Sequence, residues 1–334
     1  MHAPLQDLMP KSTDLPAGLL YHYTSMEGLL GIIQSGKMRA THVRFLNDSS
    51  EFMHAFSPAY MDRWLEGLIP GAGEELKLGV REKAVSLAAK YVVFVISLTE
   101  DEPTSENLSP SQGDRLSQWQ KYTPRNGGFS LGFDVSLSAN SFDLLPLRRA
   151  KGAVWFYRCI YGETDKQALF KELGDNGLAF AHKIYASESE QFVKKYGRVP
   201  NPQESSSLIG KSALEALSST SAGHLIRAGQ LKDGSFQEER EWRALFIVEK
   251  NELLEAHNSD PQNPILFFRV GAFGLTPYIE YPLNLNSDNC PLRRIVVGPC
   301  PYPEEAVDSV QLLLAANGIK GIEVVKSETP FRRW

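Results

Sequence analysis

The sequence is short of cysteine, of long apolar runs and of net charge. Its three cysteines, Cys159, Cys290 and Cys300, are odd in number and far apart, with no CxxC pair among them. That spacing suggests neither a disulfide framework nor a zinc knuckle, and points to buried free thiols in a reducing compartment. The longest apolar stretch, Tyr91 to Ser97, falls far below the roughly 20 residues that a membrane helix needs. Met1 to Leu20 lacks the basic-then-apolar order of a secretory signal, so a cytoplasmic location is expected. With 35 Lys+Arg against 40 Asp+Glu, a net charge of −5 argues against a broad nucleic-acid footprint. Small basic clusters at Arg148–Arg149–Lys151, Lys194–Lys195–Arg198 and Arg332–Arg333 read as solvated surface.

Several catalytic signatures are missing too. There is no Walker-type phosphate loop and no GxGxxG after a strand, which removes kinase-like and Rossmann readings. No GxSxG elbow occurs, and no cysteine sits convincingly beside a histidine for nucleophilic catalysis. No HExxH or comparable spacing is present. His42 and His54, with Asp48 and Glu51, share one stretch, but no metal site is expected there.

What remains is an ordinary globular composition, 42% hydrophobic and 22% charged over 334 residues. Leu20 to Tyr23 reads as a short strand. Thr24 and Glu27 then form a capping box, followed by a helix with Leu29, Leu30, Ile32 and Ile33 that ends at Gly36. A second strand runs from about Lys37 to Phe45. Asp48 to Glu51 is another capping box, opening a helix through Phe52, Phe56, Tyr60, Met61 and Trp64 that bends at Pro58. A charged helix spans about Glu74 to Lys90. Tyr91 to Ser97 is continuously apolar and β-branched, so it reads as a strand buried on both faces.

Thr99 to Gly113 reads as a surface loop. A short helix around Trp119 and Tyr122 precedes strands at Phe129 to Phe133 and at Val154 to Tyr161. Residues 164–230 are mostly helical, broken by a Gly-Arg-Val-Pro-Asn-Pro loop. Strands resume at Trp242 to Val248, Ile265 to Val270 and Tyr278 to Tyr281. A strand, helix, strand unit closes the chain at Arg294 to Val297, Glu304 to Asn317 and Ile322 to Val325. Strands on both sides of the helical middle imply an α+β fold. We expect a mixed or split β-sheet with flanking helices, an N-terminal extension over 1–19, and a single domain over 20–334 with a helical insertion at about 164–230.

Several segments taken in order carry a family resemblance. They are Tyr21-His22-Tyr23-Thr24, Leu46-Asn47-Asp48 with Glu51, Leu116 to Tyr122, Gly127 to Asp134, Glu239 to Arg243, Val296 to Pro299, and Ser327 to Arg332. Together they resemble the bacterial domain of unknown function 2971 family, from about Leu20 to Arg333. That resemblance implies a setting in phage defence.

A strand histidine, a helix, a second strand with an aromatic residue and a late glutamate are also similar to ADP-ribosyltransferases. This second resemblance implies an ADP-ribosyltransferase-like fold, NAD as co-substrate without a metal, and cleavage of the nicotinamide–ribose bond. The ADP-ribose would pass to protein, nucleic acid or water. Such a reaction passes through an oxocarbenium-like transition state, which a carboxylate stabilises. The resemblance implies Glu241 as the main carboxylate, Glu239 as its partner and His22 as the group that orients a ribose. Tyr23, Thr24, Phe45, Asn47, Asp48, Trp119 and Arg243 complete the implied substrate site, with Phe45 packing on the nicotinamide. Phe45 stands where the family has a tyrosine and lacks its hydroxyl.

If extended, the two-residue spacing places Glu239 and Glu241 on one face. The reading requires His22 and Glu241 to line the same face. Each residue also has a plainer role. His22 suits a satisfied core position, Asn47, Asp48 and Glu51 suit helix capping, and Trp119 and Tyr122 suit the core. Glu239 and Glu241 suit a salt-bridge cluster with Arg240 and Arg243. Two rival functions stay open: a non-enzymatic sensor or binding module of a defence system, and a metal-dependent hydrolase or nuclease acting through Asp48, Glu51 and the late carboxylates.

Overall fold

The computed structural model describes residues 18–46, 73–101, 112–136, 149–271 and 274–330, with a few single positions besides. The chain begins with β1 (Leu20–Thr24), α1 (Met26–Ser35) and β2 (Lys37–His42), then a 3₁₀ turn at Val43–Phe45. The expected cap at Thr24 is displaced by one residue. Thr24 stays in β1, paired with Phe129, and Ser25 caps the helix by accepting the Gly28 N–H at 3.1 Å. Gly36, at φ 65°, ends α1 in the left-handed conformation and donates its N–H to the Ile32 carbonyl. The expected second strand stops at His42, short of Phe45. The helix expected over Phe52 to Trp64, with its capping box, lies outside the described residues.

Next come α2 (Glu74–Lys90), β3 (Tyr91–Glu100), α3 (Leu116–Tyr122), β4 (Phe129–Phe133) and β5 (Ala153–Arg158). The helical middle is a hairpin of two long helices, α4 (Glu163–Tyr196) and α5 (Pro202–Ala228). A second 3₁₀ turn, Gly234–Glu239, leads into β6 (Glu241–Glu249). The helix α6 (Lys250–Ser259) follows directly and was hidden in the sequence by its short, polar character; it buries Leu253 and Ala256, three apart on one face. The chain finishes with β7 (Phe267–Gly271), β8 (Gly274–Pro282), β9 (Leu292–Val297), α7 (Pro303–Ala316) and β10 (Glu323–Lys326).

All ten strands belong to one mixed sheet, so the fold is α+β. β3 and β6 pair antiparallel over nine rows, from Tyr91 opposite Glu249 to Thr99 opposite Glu241. Both are buried on both faces, which explains their continuous apolar runs. β5 lies outside β6, and the α4–α5 hairpin is inserted between these two neighbouring strands. One branch of the sheet runs β1, β4, β9, β10, closing with the single parallel pair among the described strands. A second branch runs β2, β8, β7.

Alternation along the strands divides the core between two faces. Trp242, Ala244, Phe246 and Val248 face a core that includes Leu29, Ile33, Leu253, Val310 and Leu314 from α1, α6 and α7. Leu245 and Ile247 face the other way, onto Leu169, Leu173, Ala181 and Ala228 of the helical hairpin. A third cluster joins Tyr21 and Tyr23 to Trp119 and Val296.

The C-terminal segment is tied to α3 through Asp114. Its carboxylate accepts from Trp119 Nε1 at 2.7 Å, from the Glu328 N–H at 2.7 Å and from Thr329 Oγ1 at 2.9 Å. We expect Asp114→Ala to destabilise the protein by about 3 kcal/mol, because several charge-assisted bonds are lost at once. Urea unfolding of the two proteins checks this; an unchanged midpoint would show that the segment is held by other contacts.

Candidate functional site

The site is created by competition for one edge of β3. β1 pairs with its C-terminal end, Leu20 opposite Glu100 and Tyr21 opposite Thr99. β2 pairs with the same edge further back, Thr41 opposite Val95 and His42 opposite Phe94. Neither ladder pairs Ile96, Ser97 or Leu98. The rest of β1 turns to β4 and the rest of β2 turns to β8, so the two strands splay apart. The sheet is split at this point.

The split opens into a cleft of about 480 Å³. One wall is the end of β1 and the start of α1, with His22, Thr24, Ser25 and Glu27. The other wall carries Lys37, Arg39 and Thr41 from β2, Arg269 from β7 and Glu280 from β8, and Tyr122 of α3 also contributes. Gly28 lines the cleft where α1 begins. A Cβ there would fall 2.0 Å from Thr24 Oγ1, so a larger residue would force the Thr24 side chain to move. Lys37 pairs with Glu280 at 2.8 Å across the strands. Arg39 lies over the Tyr278 ring at 5.0 Å, and among the described residues neither Arg39 nor Arg269 has a carboxylate partner.

His22 turns into the split, with Nδ1 3.1 Å from the Ser97 carbonyl oxygen. Burial lowers its pKa below the ordinary histidine value, only partly opposed by that bond. The ring is therefore neutral at neutral pH. Because a carbonyl only accepts, Nδ1 carries the proton and Nε2 is left as an acceptor.

Beside the cleft lies a buried ionic cluster. Lys232, 1% exposed, donates to both Glu239 and Glu241. Arg243 binds Glu241 through Nε at 2.8 Å and the Gly229 carbonyl through Nη1 at 3.0 Å. Glu239 also receives Lys121 and the Tyr122 hydroxyl, the latter at 2.9 Å. Tyr122 thus touches both the cleft and the cluster. Burial acts to raise the Glu241 pKa, but Arg243 and Lys232 overcome it and hold the carboxyl at about 2. Burial acts to lower the Lys232 pKa, and Glu241 and Glu239 outweigh it, so the ammonium stays charged.

The structure rearranges the expected site. Glu239 is not extended: it ends the 3₁₀ turn, and Arg240 reverses the chain at φ 46° before Glu241 starts β6. The two carboxylates meet at Lys232 through this turn rather than through strand alternation. Tyr21, Thr99 and Glu241 share one row of the sheet, and His22 is out of phase with that row. His22 and Glu241 are not brought together; Glu241 is sealed against Lys232 and Arg243, away from the cleft. Trp119 is a core residue rather than a ligand platform, 1% exposed, edge-on to Tyr23 at 4.8 Å with Nε1 committed to Asp114.

Tyr23 borders the cleft, but its hydroxyl is spent on the Gly113 carbonyl at 2.8 Å. Thr24 lines the cleft. Phe45 is exposed beyond β2 and packs edge-on to His42 at 5.4 Å, outside the cleft lining. Asn47 and Asp48 lie outside the described residues, as do Glu51 and His54. Lys232, Arg39 and Arg269 were not anticipated, and Tyr122, for which a core role was expected, is 36% exposed and lines the cleft. No local pattern marks them, since each joins the site through pairing between distant strands and turns.

Residues 118–244 match the model described as Protein of unknown function (DUF2971). Over this stretch the chain is similar to that family. The DUF2971 stretch begins within α3 and ends within β6, and so contains every member of the ionic cluster. It is narrower than the span of the resemblance read from the sequence, and leaves out β1, β2 and His22. No curated protein and no solved structure matches the chain. Among the described residues, no group of three or more His, Cys, Asp or Glu could hold a metal ion, and no helix is long and apolar enough to cross a membrane.

The ionic cluster predicts a specific acid response. A carboxyl held at about 2 in the folded state, against an ordinary value of 4.5, supports folding above pH 4.5 and loses that support as pH falls towards 2. Glu241→Gln should be less stable at neutral pH by about 3 kcal/mol, leaving Lys232 and Arg243 short of a counter-charge. Its stability should also fall less steeply than that of the wild type through this acid window. Parallel slopes in denaturant titrations at several pH values would contradict the assignment.

Proposed function

We propose that the cleft at the split in the sheet binds a ribose- and phosphate-bearing nucleotide, with NAD the first candidate. The observation that carries this reading is the composition of the cleft. A neutral histidine offers Nε2 to a ribose hydroxyl, while on the opposite wall Arg39 and Arg269 have no carboxylate partner among the described residues. Guanidinium groups favour phosphate because their planar donors match its oxygens. The resemblance to ADP-ribosyltransferases supplies NAD as the particular ligand.

Cleavage of NAD needs a carboxylate at the nicotinamide ribose, and Glu241 is turned away from the cleft. Glu239 is the better candidate for that role, since Tyr122 links it to the cleft. Glu241 then acts as a positioning residue, holding Lys232 against Glu239. In this form the chain is an ADP-ribosyltransferase-like enzyme that transfers ADP-ribose to a macromolecule or to water. The rival reading is a non-enzymatic binding module, and the placement of Glu241 favours it over the original catalytic arrangement. A setting in phage defence suits either.

Two measurements separate these readings. Calorimetric titration with NAD should show binding that weakens at least tenfold in Arg39→Ala/Arg269→Ala, the loss of a charge-assisted contact. Nicotinamide release should be abolished in Glu239→Gln with NAD binding retained. Binding without release in the wild type, with candidate protein and nucleic-acid acceptors present, would support the binding module. No binding at all would remove NAD.

A further inference from the structure

One branch of the sheet ends at β7, which pairs with β8 along one edge and, among the described strands, with nothing along the other. Pro277 stands opposite Phe268 and has no N–H, so that row cannot exchange two backbone bonds. The bonded rows are therefore Phe267 with Tyr278 and Arg269 with Thr276. Backbone direction alternates along a strand, so the N–H and C=O groups of Phe268 and Val270 point away from β8, to the open edge. Native sheets blunt such edges with charge, proline or bulges, because an open row of donors and acceptors is a template for another strand. The far end of the same path is blunted in this way: β10 has four residues, with Glu323 and Lys326 exposed at its two ends. β7 has no proline and a regular register with β8, and its one charged residue, Arg269, lines the cleft.

The side chains along this edge are apolar and in solvent. Phe268 is 58% exposed, Val270 87% and Leu275, which stands opposite Val270, 67%. They share the sheet face that further in carries Ile279, Ala40 and Met38 of the main core, so the core face extends past its cover. Together the three side chains present on the order of 350 Å² of apolar surface, the size of the largest patch on a typical monomer and one that marks an interaction site. Arg269 alternates to the opposite face.

We infer that β7 is the seat of a two-fold dimer, in which β7 of a second copy pairs antiparallel with it and continues the sheet. Charge fixes the register. An axis through Arg269 would set two guanidinium groups directly opposite each other, which is destabilising. An axis through Phe268 sets Phe268 against its own copy, Val270 against Leu266 and Arg269 against Phe267, with no like charges opposed. The segment is then self-complementary, as a two-fold contact requires. The ladder is short, because Leu266 has its N–H on His257 Nδ1 at 3.3 Å. A short ladder favours a partner that adds an apolar patch of its own, and a second copy brings an equal one. The two patches and the paired backbone amount to about 1,000 Å², the size at which a specific interface begins. On the other face the second copy brings its Phe267 beside Arg269, so it extends the wall of the cleft. The inference does not depend on the nucleotide reading of that cleft.

Sedimentation equilibrium of the full chain should show a monomer–dimer equilibrium. Val270→Lys puts a charge on the open edge at a solvent-facing position, and should weaken the dimer about tenfold or more with the circular dichroism spectrum unchanged. Phe268→Cys should oxidise to a covalent dimer, since residues opposite each other in a bonded row lie about 5.5 Å apart at Cα, within disulfide reach. Val270→Cys should not, because the two-fold separates its copies by about 13 Å along the strand. The wild type controls for its own three cysteines. Should Phe268→Cys fail to fold, Val270→Lys decides alone. A monomer throughout the concentration series, a dimer indifferent to Val270→Lys, or crosslinking of Val270→Cys as readily as of a folded Phe268→Cys would each overturn the inference.

Discussion

One edge of β3 serves two strands, and the architecture of the site depends on that constraint. A strand edge presents one row of hydrogen-bonding groups, so β1 and β2 cannot both occupy it along its length. Each takes a short ladder and then leaves for a partner of its own, β4 in one case and β8 in the other. The divergence separates two branches of the sheet and leaves Ser97 with a carbonyl that turns to His22. The cleft therefore has walls from distant parts of the chain, joined through β3. Its position is set by backbone pairing, and its chemistry by the side chains that the two branches happen to carry.

The buried cluster at the start of β6 answers a second constraint. β6 is covered on both edges and both faces, so charged groups at its entrance must be paired or excluded. Two carboxylates meet Lys232 and Arg243 there, with Lys121 and Tyr122 completing the shell of Glu239. Such a network is weak evidence for stability, because the desolvation cost is of the same order as the attraction. Its stronger effect is on geometry. It holds the 3₁₀ turn, the strand and α3 in one arrangement, and it brings Tyr122 to the edge of the cleft. The DUF2971 match spans the cluster entirely, whereas the histidine wall of the cleft falls outside it.

Much of the fold was legible in the amino-acid order. The 17-residue helix Glu74–Lys90, the buried run beginning at Tyr91, the hairpin of long helices and the closing strand, helix, strand unit all follow from periodicity and punctuation. Where the reading slipped, the cause was local. Thr24 and Ser25 both suit a helix cap, and strand pairing with Phe129 claims the first. Glu239 and Glu241 look like alternate residues of one strand, yet Arg240 in the left-handed conformation breaks the extension between them. The site was less legible than the fold. His22 and Thr24, which the resemblance to ADP-ribosyltransferases implied, line the cleft, whereas Trp119 was claimed by the core and Glu241 by Lys232.

The sequence by itself determined most of the elements and their order, α6 excepted, the burial of β3, and the placing of a helical segment between strands. These depend on neighbours within a few turns, where side-chain period and capping chemistry act. Only the tertiary structure decided that β1 and β2 share an edge, that His22 and Glu241 fall out of phase, and that Lys232 joins the two glutamates. Those outcomes depend on registers between segments far apart in the chain, and a shift of one residue turns every side chain of a strand to the opposite face.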